Sequence, residues 1–211
     1  MIGMPVVDPA VWFDLQFGAA VLQSIPQNKI GGAPVIVYFL RHASAGQSTM
    51  DAESDGRRPL DKEGIEQCLL IGQTLASLDV ALDEIISSPL QRAAQTATLT
   101  AKEMGYKGEI TYSPAMALET NFQQFQQLLR EHLEQKAIMV VGHNPRISQF
   151  LSLALSAGGN DSGVEMKKGA IAKVEIGGRG QGSLHWFLTP KLVRSIQEAA
   201  TTSSRPKTSR K

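Results

Sequence analysis

The chain is short of several things that would commit it to a particular environment. It has one cysteine, Cys68. That excludes an internal disulfide and a cysteine-rich metal knuckle, suits a reducing compartment, and leaves Cys68 as a small core side chain on a helix. It has no excess of either charge: 21 basic against 20 acidic residues give a net charge of +1. No general pull toward nucleic acid or an anionic membrane follows, so any positive field must be local. It has no long apolar run. The stretch "AVWFDLQFGAAVLQSI" is interrupted by Asp14, has no basic region before it, and is too short and too polar to span a bilayer. The expectation is a cytoplasmic protein with no membrane or nucleic-acid partner.

What is present divides unevenly. Residues 1–33 read as an N-terminal extension, with Trp12, Phe13 and Phe17 as an amphipathic patch that packs on the domain. Residues 34–195 read as a single domain, and 196–211 as a disordered basic tail, because "EAATTSSRPKTSRK" offers almost nothing to bury. Within the domain, short β-rich apolar runs alternate with stretches of helical period. That pattern predicts an α/β fold: a three-layer sandwich with a mostly parallel central sheet flanked by helices, closed by an antiparallel hairpin at one edge. "VIVYFL" and "AIMVVG" are apolar throughout, as strands covered on both faces must be. A helix near 61–78 is expected to be capped by Asp61 and to bury Ile65, Leu69, Ile71, Leu75 and Leu78. Two later helices open on a cap followed by proline, Ser88–Pro89 and Asn144–Pro145. "GAIAKVEIGG" and "GSLHWFLTP" supply the edge hairpin.

Two strands run directly into histidines, "YFLRH" at His42 and "VVGH" at His143. Open parallel sheets bind ligands beyond the carboxyl ends of their strands. If these strands are neighbours, the two rings face each other across one crevice. Arg41, Arg58 and Arg92 stand in or beside the same loops. Guanidinium forks and helix N-termini hold phosphate oxygens, so a phosphate-sized dianion is the natural occupant. Cations crowded around His42 disfavour its protonated form and leave the imidazole a nucleophilic lone pair. The arginines and His143 would then stabilise charge on a transferring phosphoryl group, with no metal or cofactor required.

"LRHASAG", "RRPLDKEG", "SSPLQRAAQTA" and "VGHNP", in this order, resemble the histidine phosphatase superfamily. The short "RPL" segment and the closing "WFLTP" are most similar to its SixA-type phosphohistidine phosphatase branch. The resemblance spans roughly residues 35–195. It implies that His42 is transiently phosphorylated, that Arg41, Arg92 and His143 complete the phosphate pocket, that Arg58 joins them, and that Glu119 takes the place of the family's proton donor. It implies a phosphatase whose partner is a phosphohistidine-bearing signalling protein or a small phosphorylated molecule. A departure bears on the substrate: the acidic, glycine-rich pattern that follows the proton donor in the mutases is replaced by "NFQQFQQ". An imidazole leaving group needs a strong proton donor less than an alkoxide does, so phosphohistidine is favoured over phosphomonoesters.

Other readings stand beside this one. A phosphatase or mutase acting on small phosphomonoesters would depend on Glu119, and a non-catalytic phospho-ligand module would need none of the nucleophile chemistry. A zinc site of His42, His143 and Glu119 is disfavoured by the surrounding arginines. Arg57 and His132 are expected to face solvent, and His185 to lie on a surface edge.

Overall fold

The computed structural model describes residues 34–47, 51–132, 134–156, 162–177 and 182–203. The N-terminal extension with its aromatic patch, and the last residues of the chain, lie outside these. The elements in chain order are β1 (Val35–Arg41), α1 (Ala52–Gly56), α2 (Lys62–Ser77), β2 (Glu84–Ser87), α3 (Gln91–Met104) and β3 (Ile110–Tyr112). A 3-10 turn at Pro114–Met116 leads to α4 (Phe122–Glu131), β4 (Ala137–Gly142), α5 (Arg146–Leu155), β5 (Ile171–Ile176), β6 (Gly182–Leu188) and α6 (Pro190–Ser203).

The strands form one sheet in the order β3-β2-β4-β1-β5-β6. Pairings β1–β4, β2–β4 and β2–β3 are parallel, while β1–β5 and β5–β6 are antiparallel. This is the expected α/β sandwich with its edge hairpin. Alternation along each strand sends side chains to opposite faces. Val37 and Phe39 of β1, with Ile138 and Val140 of β4, meet Phe125 and Leu128 of α4 and Ile147, Phe150 and Leu151 of α5. Tyr38, Leu40, Met139 and Val141 meet Ile71 and Leu75 of α2, Ala93, Ala97 and Ala101 of α3, and Val193 of α6. Both faces are covered, which explains why β1 and β4 carry no polar face in the sequence.

The helix expected near 61–78 is present and is capped as expected: the Asp61 side chain accepts from Gly64 N at 2.8 Å. Its buried face differs. Ile71 and Leu75 are buried, but Ile65, Leu69 and Leu78 are 43%, 36% and 51% exposed, and the inward positions are held by Gly64, Gln67, Cys68 and Gly72. The helix lies too close to its neighbours for large side chains: a Cβ on Gly72 would come within 2.5 Å of Glu103 Cβ on α3. Hydrophobicity marks the wrong stripe where close approach selects small residues.

The two cap-and-proline starts are also corrected. Helix α3 begins at Gln91 with Leu90 at its cap position and no side-chain cap, and Ser88 turns to His143 instead. Helix α5 begins at Arg146 behind Pro145, and Asn144 bonds Ser148 and Met166 instead of capping. Lastly, α6 runs to Ser203, so residues 196–203, read from composition as part of a disordered tail, are helical. Val193 docks this helix on the core and Arg194 reaches Glu66 of α2 at 3.9 Å.

Candidate active site

β1 and β4 pair in parallel with Arg41 opposite Gly142. The next residue on each strand is a histidine, and His42 N donates to Gly142 O at 3.0 Å. Strand register alone therefore brings His42 and His143 together, with ring centroids 4.9 Å apart and planes tilted by 50°.

Each ring is oriented by a hydrogen bond. His42 Nδ1 lies 2.8 Å from Ala43 O. A carbonyl can only accept, so Nδ1 carries the proton and Nε2 keeps its lone pair. His143 Nε2 lies 2.8 Å from Ser88 Oγ. Ser88 Oγ accepts from Leu90 N, and we assign its own proton to the bond with Nε2, which places the His143 proton on Nδ1. Burial drives the His42 pKa down to about 3, against the raising effect of the Ala43 carbonyl, with Arg92, Arg41 and Arg58 lowering it further. Burial again comes first for His143, followed by His42, Arg92 and Arg41, and its pKa falls to about 2. Both rings are neutral at physiological pH.

The arginines surround this pair. Arg41 is the last residue of β1 and donates from Nη1 to Met166 O at 2.8 Å. Arg92, in the first turn of α3, is almost wholly buried. It donates from Nη1 to Asp55 O at 2.8 Å and pairs with the Asp55 carboxylate at 3.2 Å. Arg58 pairs with the same carboxylate at 3.0 Å and donates to Ala45 O at 2.7 Å. Arg57 points outward to Glu53, as expected of a solvated residue. Four buried nitrogens have no hydrogen-bond partner among the described residues: Arg146 Nε on α5, and Arg41 Nε, Arg92 Nε and His143 Nδ1 of this group. Unpaired buried donors of this kind are costly unless something accepts from them. The His143 ring lies beside that of His42, and the charges of Arg41 and Arg92 act on it.

The loop after His42 is fixed from below. Ala43 N donates to Thr96 Oγ1, Ser44 N to Gln67 Oε1, and Ser44 Oγ and Gly46 N to Asp61 Oδ2. Asp61 thus caps α2 and ties down the loop after His42 at once.

Glu119 is placed otherwise. It lies exposed in the turn between the 3-10 segment and α4, and its carboxylate makes no hydrogen bond or ion pair among the described residues. The structure joins His42, His143, Arg41, Arg58 and Arg92 in one site, and no hydrogen bond or ion pair links Glu119 to them. Of the remaining histidines, His132 is not solvent-facing: it ends α4 half-buried, with Nδ1 2.6 Å from Glu84 Oε2. His185 is on the edge strand β6, as expected, beside Glu175. Asp55, which holds two of the arginines, was missed by the sequence reading. The available signal was its place three residues before Arg58, the spacing of a helical ion pair. Among the described residues no group of three or more His, Cys, Asp or Glu could hold a metal ion, and no helix is long and apolar enough to cross a membrane.

Against this geometry, the family model of the histidine phosphatase superfamily (branch 1) matches residues 37–135. The phosphohistidine phosphatase SixA of Escherichia coli is 26% identical over 169 residues, covering 76% of this chain and 99% of SixA. The chain belongs to the histidine phosphatase superfamily. Its place within the superfamily is the SixA-type branch. An uncharacterised protein of Picosynechococcus is 31% identical over 144 residues, 67% of this chain and 85% of that protein. The solved structure of SixA complexed with tungstate superposes with a TM-score of 0.66 at 22% identity, covering 75% of this chain and 99% of that one. A phosphoglycerate mutase from Bacillus anthracis gives 0.58 at 13%, covering 78% and 97%. These structures share the fold.

Proposed function

We propose that the protein is a metal-independent phosphatase that carries the phosphoryl group on His42 Nε2 and acts on phosphohistidine of a signalling protein. The observation that carries this reading is the neutral His42 ring, its proton fixed on Nδ1, beside three buried and unpaired donors on Arg41, Arg92 and His143. That arrangement suits a nucleophile aimed at phosphorus within a set of groups prepared for the equatorial oxygens.

The reaction would proceed in two displacements. His42 Nε2 attacks phosphorus in line, the Nε2–P bond forms, and the substrate's N–P bond breaks with the electron pair leaving on its imidazole. Water then attacks phosphorus: the O–P bond forms, the Nε2–P bond breaks with its electron pair returning to His42 Nε2, and the water protons leave on the inorganic phosphate as dihydrogen phosphate. Arg41, Arg58, Arg92 and the His143 N–H neutralise charge spread over the phosphoryl oxygens in both steps. The substrate imidazole leaves as a neutral ring when its other nitrogen is already protonated, so no strong acid is demanded. The name of the Escherichia coli relative, a phosphohistidine phosphatase, points the same way.

The test is turnover on a phosphohistidine-bearing protein with a chelator present, combined with acid-quench trapping of the enzyme. Wild-type protein is expected to hydrolyse the substrate and to carry acid-labile phosphate. His42→Ala is expected to lose turnover while still binding tungstate. Glu119→Gln is expected to keep its rate on phosphohistidine within about twofold, since less than 0.5 kcal/mol of barrier is at stake. Full activity in His42→Ala ends the proposal, and loss of activity with chelator ends its metal-independent form.

A further inference from the structure

Arg58 and Arg92 are held by the carboxylate of Asp55, but Arg41 is held differently. Its hydrogen bond goes to a backbone carbonyl, Met166 O, and its Nε is buried without a partner. What fixes Met166 therefore fixes the direction of Arg41.

The Met166 peptide is gripped on both sides. Met166 N donates to Ser148 Oγ at 2.9 Å, and Met166 O accepts from Asn144 Nδ2 at 3.0 Å as well as from Arg41. Ser148 Oγ donates in turn to Asn144 Oδ1 at 2.7 Å. These bonds close a ring through Asn144, Ser148 and the Met166 peptide. The carbonyl's two lone pairs are both engaged, so its direction is set. Earlier in the same segment, the strap of residues 162–170 that leads into β5, Ser162 N donates to Ser152 Oγ at 2.6 Å, tying it again to α5. Asn144 directly follows His143 in sequence. The ring therefore links the arginine at the end of β1 to the histidine at the end of β4.

We infer that Ser148 and Asn144 are positioning residues. Through the Met166 peptide they aim the Arg41 guanidinium so that Nε faces the oxyanion. This rests on the proposed function only in placing Arg41 in an oxyanion pocket, and does not depend on turnover. A purely structural role, anchoring the strap to α5, would use the same bonds but would not couple to Arg41.

The two roles separate in a double-mutant cycle read by tungstate titration of the full chain. Ser148 is buried, but it and Asn144 border an open cleft of about 530 Å³ between strap and helix, so Ser148→Ala removes one hydroxyl without opening the apolar core. Ser148→Ala is expected to weaken tungstate binding at least fivefold, and Ser148→Thr, which keeps the hydroxyl, to restore affinity to within twofold of wild type. In an Arg41→Ala background, Ser148→Ala should cost less than twofold. Asn144→Leu, run through the same cycle, serves if Ser148→Ala melts below the assay temperature. Equal losses in both backgrounds, or no loss in the wild-type background, overturn the inference. A protein that binds tungstate with this coupling yet hydrolyses no phosphohistidine would refute the proposed function and leave the positioning role standing.

Discussion

Gly64 in the first turn of α2 gives opposite predictions from local propensity and from packing. Alanine is favoured over glycine inside a helix by about 1 kcal/mol, so propensity alone makes Gly64→Ala stabilising. Packing reverses the sign. A Cβ at this position would lie 1.9 Å from Ser44 O, 2.9 Å from Ser44 C and 3.0 Å from Ser44 N. The obstacle is backbone, and it is pinned: Asp61 N donates to Ser44 O at 3.2 Å, Ser44 N donates to Gln67 Oε1 at 2.9 Å, and Ser44 Oγ donates to Asp61 Oδ2 at 2.8 Å. Restoring an ordinary contact needs a shift of more than about 1 Å, which overpacking studies put at roughly 1–3 kcal/mol. Loss of one or two of the pinning hydrogen bonds adds about 1 kcal/mol each. After subtracting the propensity gain, the net destabilisation is about 1–4 kcal/mol, or a fall in Tm of roughly 2–16 °C for a chain of this size. Since Ser44 stands two residues after His42, tungstate affinity should fall too. Calorimetry with and without tungstate checks both. A Tm that rises by a few degrees with unchanged affinity would refute the packing argument.

The two site histidines make stability sensitive to acid. Their folded pKa values, about 3 for His42 and about 2 for His143, lie below the ordinary 6.5 of an exposed imidazole, so the unfolded chain binds protons that the folded one does not. Stability is full above pH 6.5 and falls as pH drops toward 3, with a loss of up to about 4 kcal/mol by pH 5, before most carboxylates titrate. Urea midpoints from pH 7 to 5 read this directly; a flat profile refutes neutral burial, and His143→Gln should halve the slope. Asp55→Asn removes the carboxylate shared by Arg58 and the buried Arg92 and is expected to cost about 1–3 kcal/mol, part of it recovered when tungstate supplies the missing negative charge. An unchanged melting temperature would show that Asp55 does not support the arginines.

The sequence was most legible where one physical demand dominates. The doubly covered strands β1 and β4 announced themselves by uninterrupted apolar residues, and the histidines at their ends follow from the same register, since Arg41 opposite Gly142 leaves His42 opposite His143. It was least legible where a residue type serves two demands. Ser88 and Asn144 both look like helix caps, because short polar side chains favour caps. Ser88 shares its hydroxyl between Leu90 N and the tertiary partner His143, and Asn144 turns to Met166 and Ser148, so neither caps its helix. The buried face of α2 misled for a related reason, since close packing on Ser44 and α3 demanded Gly64, Cys68 and Gly72 where hydrophobic period pointed to Ile65 and Leu69. Composition missed the end of α6, whose Val193 and Arg194 contacts lie on the domain side of a polar stretch.

The site gathers three guanidinium groups and two rings that burial keeps neutral, an arrangement that opposes folding. Asp55 offsets part of that for Arg58 and Arg92. For Arg41 the strap offers a carbonyl at hydrogen-bond distance, which orients the cation, and the charge of the exposed Glu165, which is bonded to Lys167 and makes no ion pair with Arg41. That difference has a functional consequence. A guanidinium neutralised by a carboxylate attracts an incoming oxyanion less than one aimed by a neutral group. Arg41 should therefore contribute most to oxyanion binding, and Arg58 and Arg92 more to the shape of the pocket. The same division explains why the site can be prepared in advance. The donors are held by backbone and by one shared carboxylate, so an arriving phosphoryl group need not reorganise them, which is the condition for electrostatic stabilisation of a transition state.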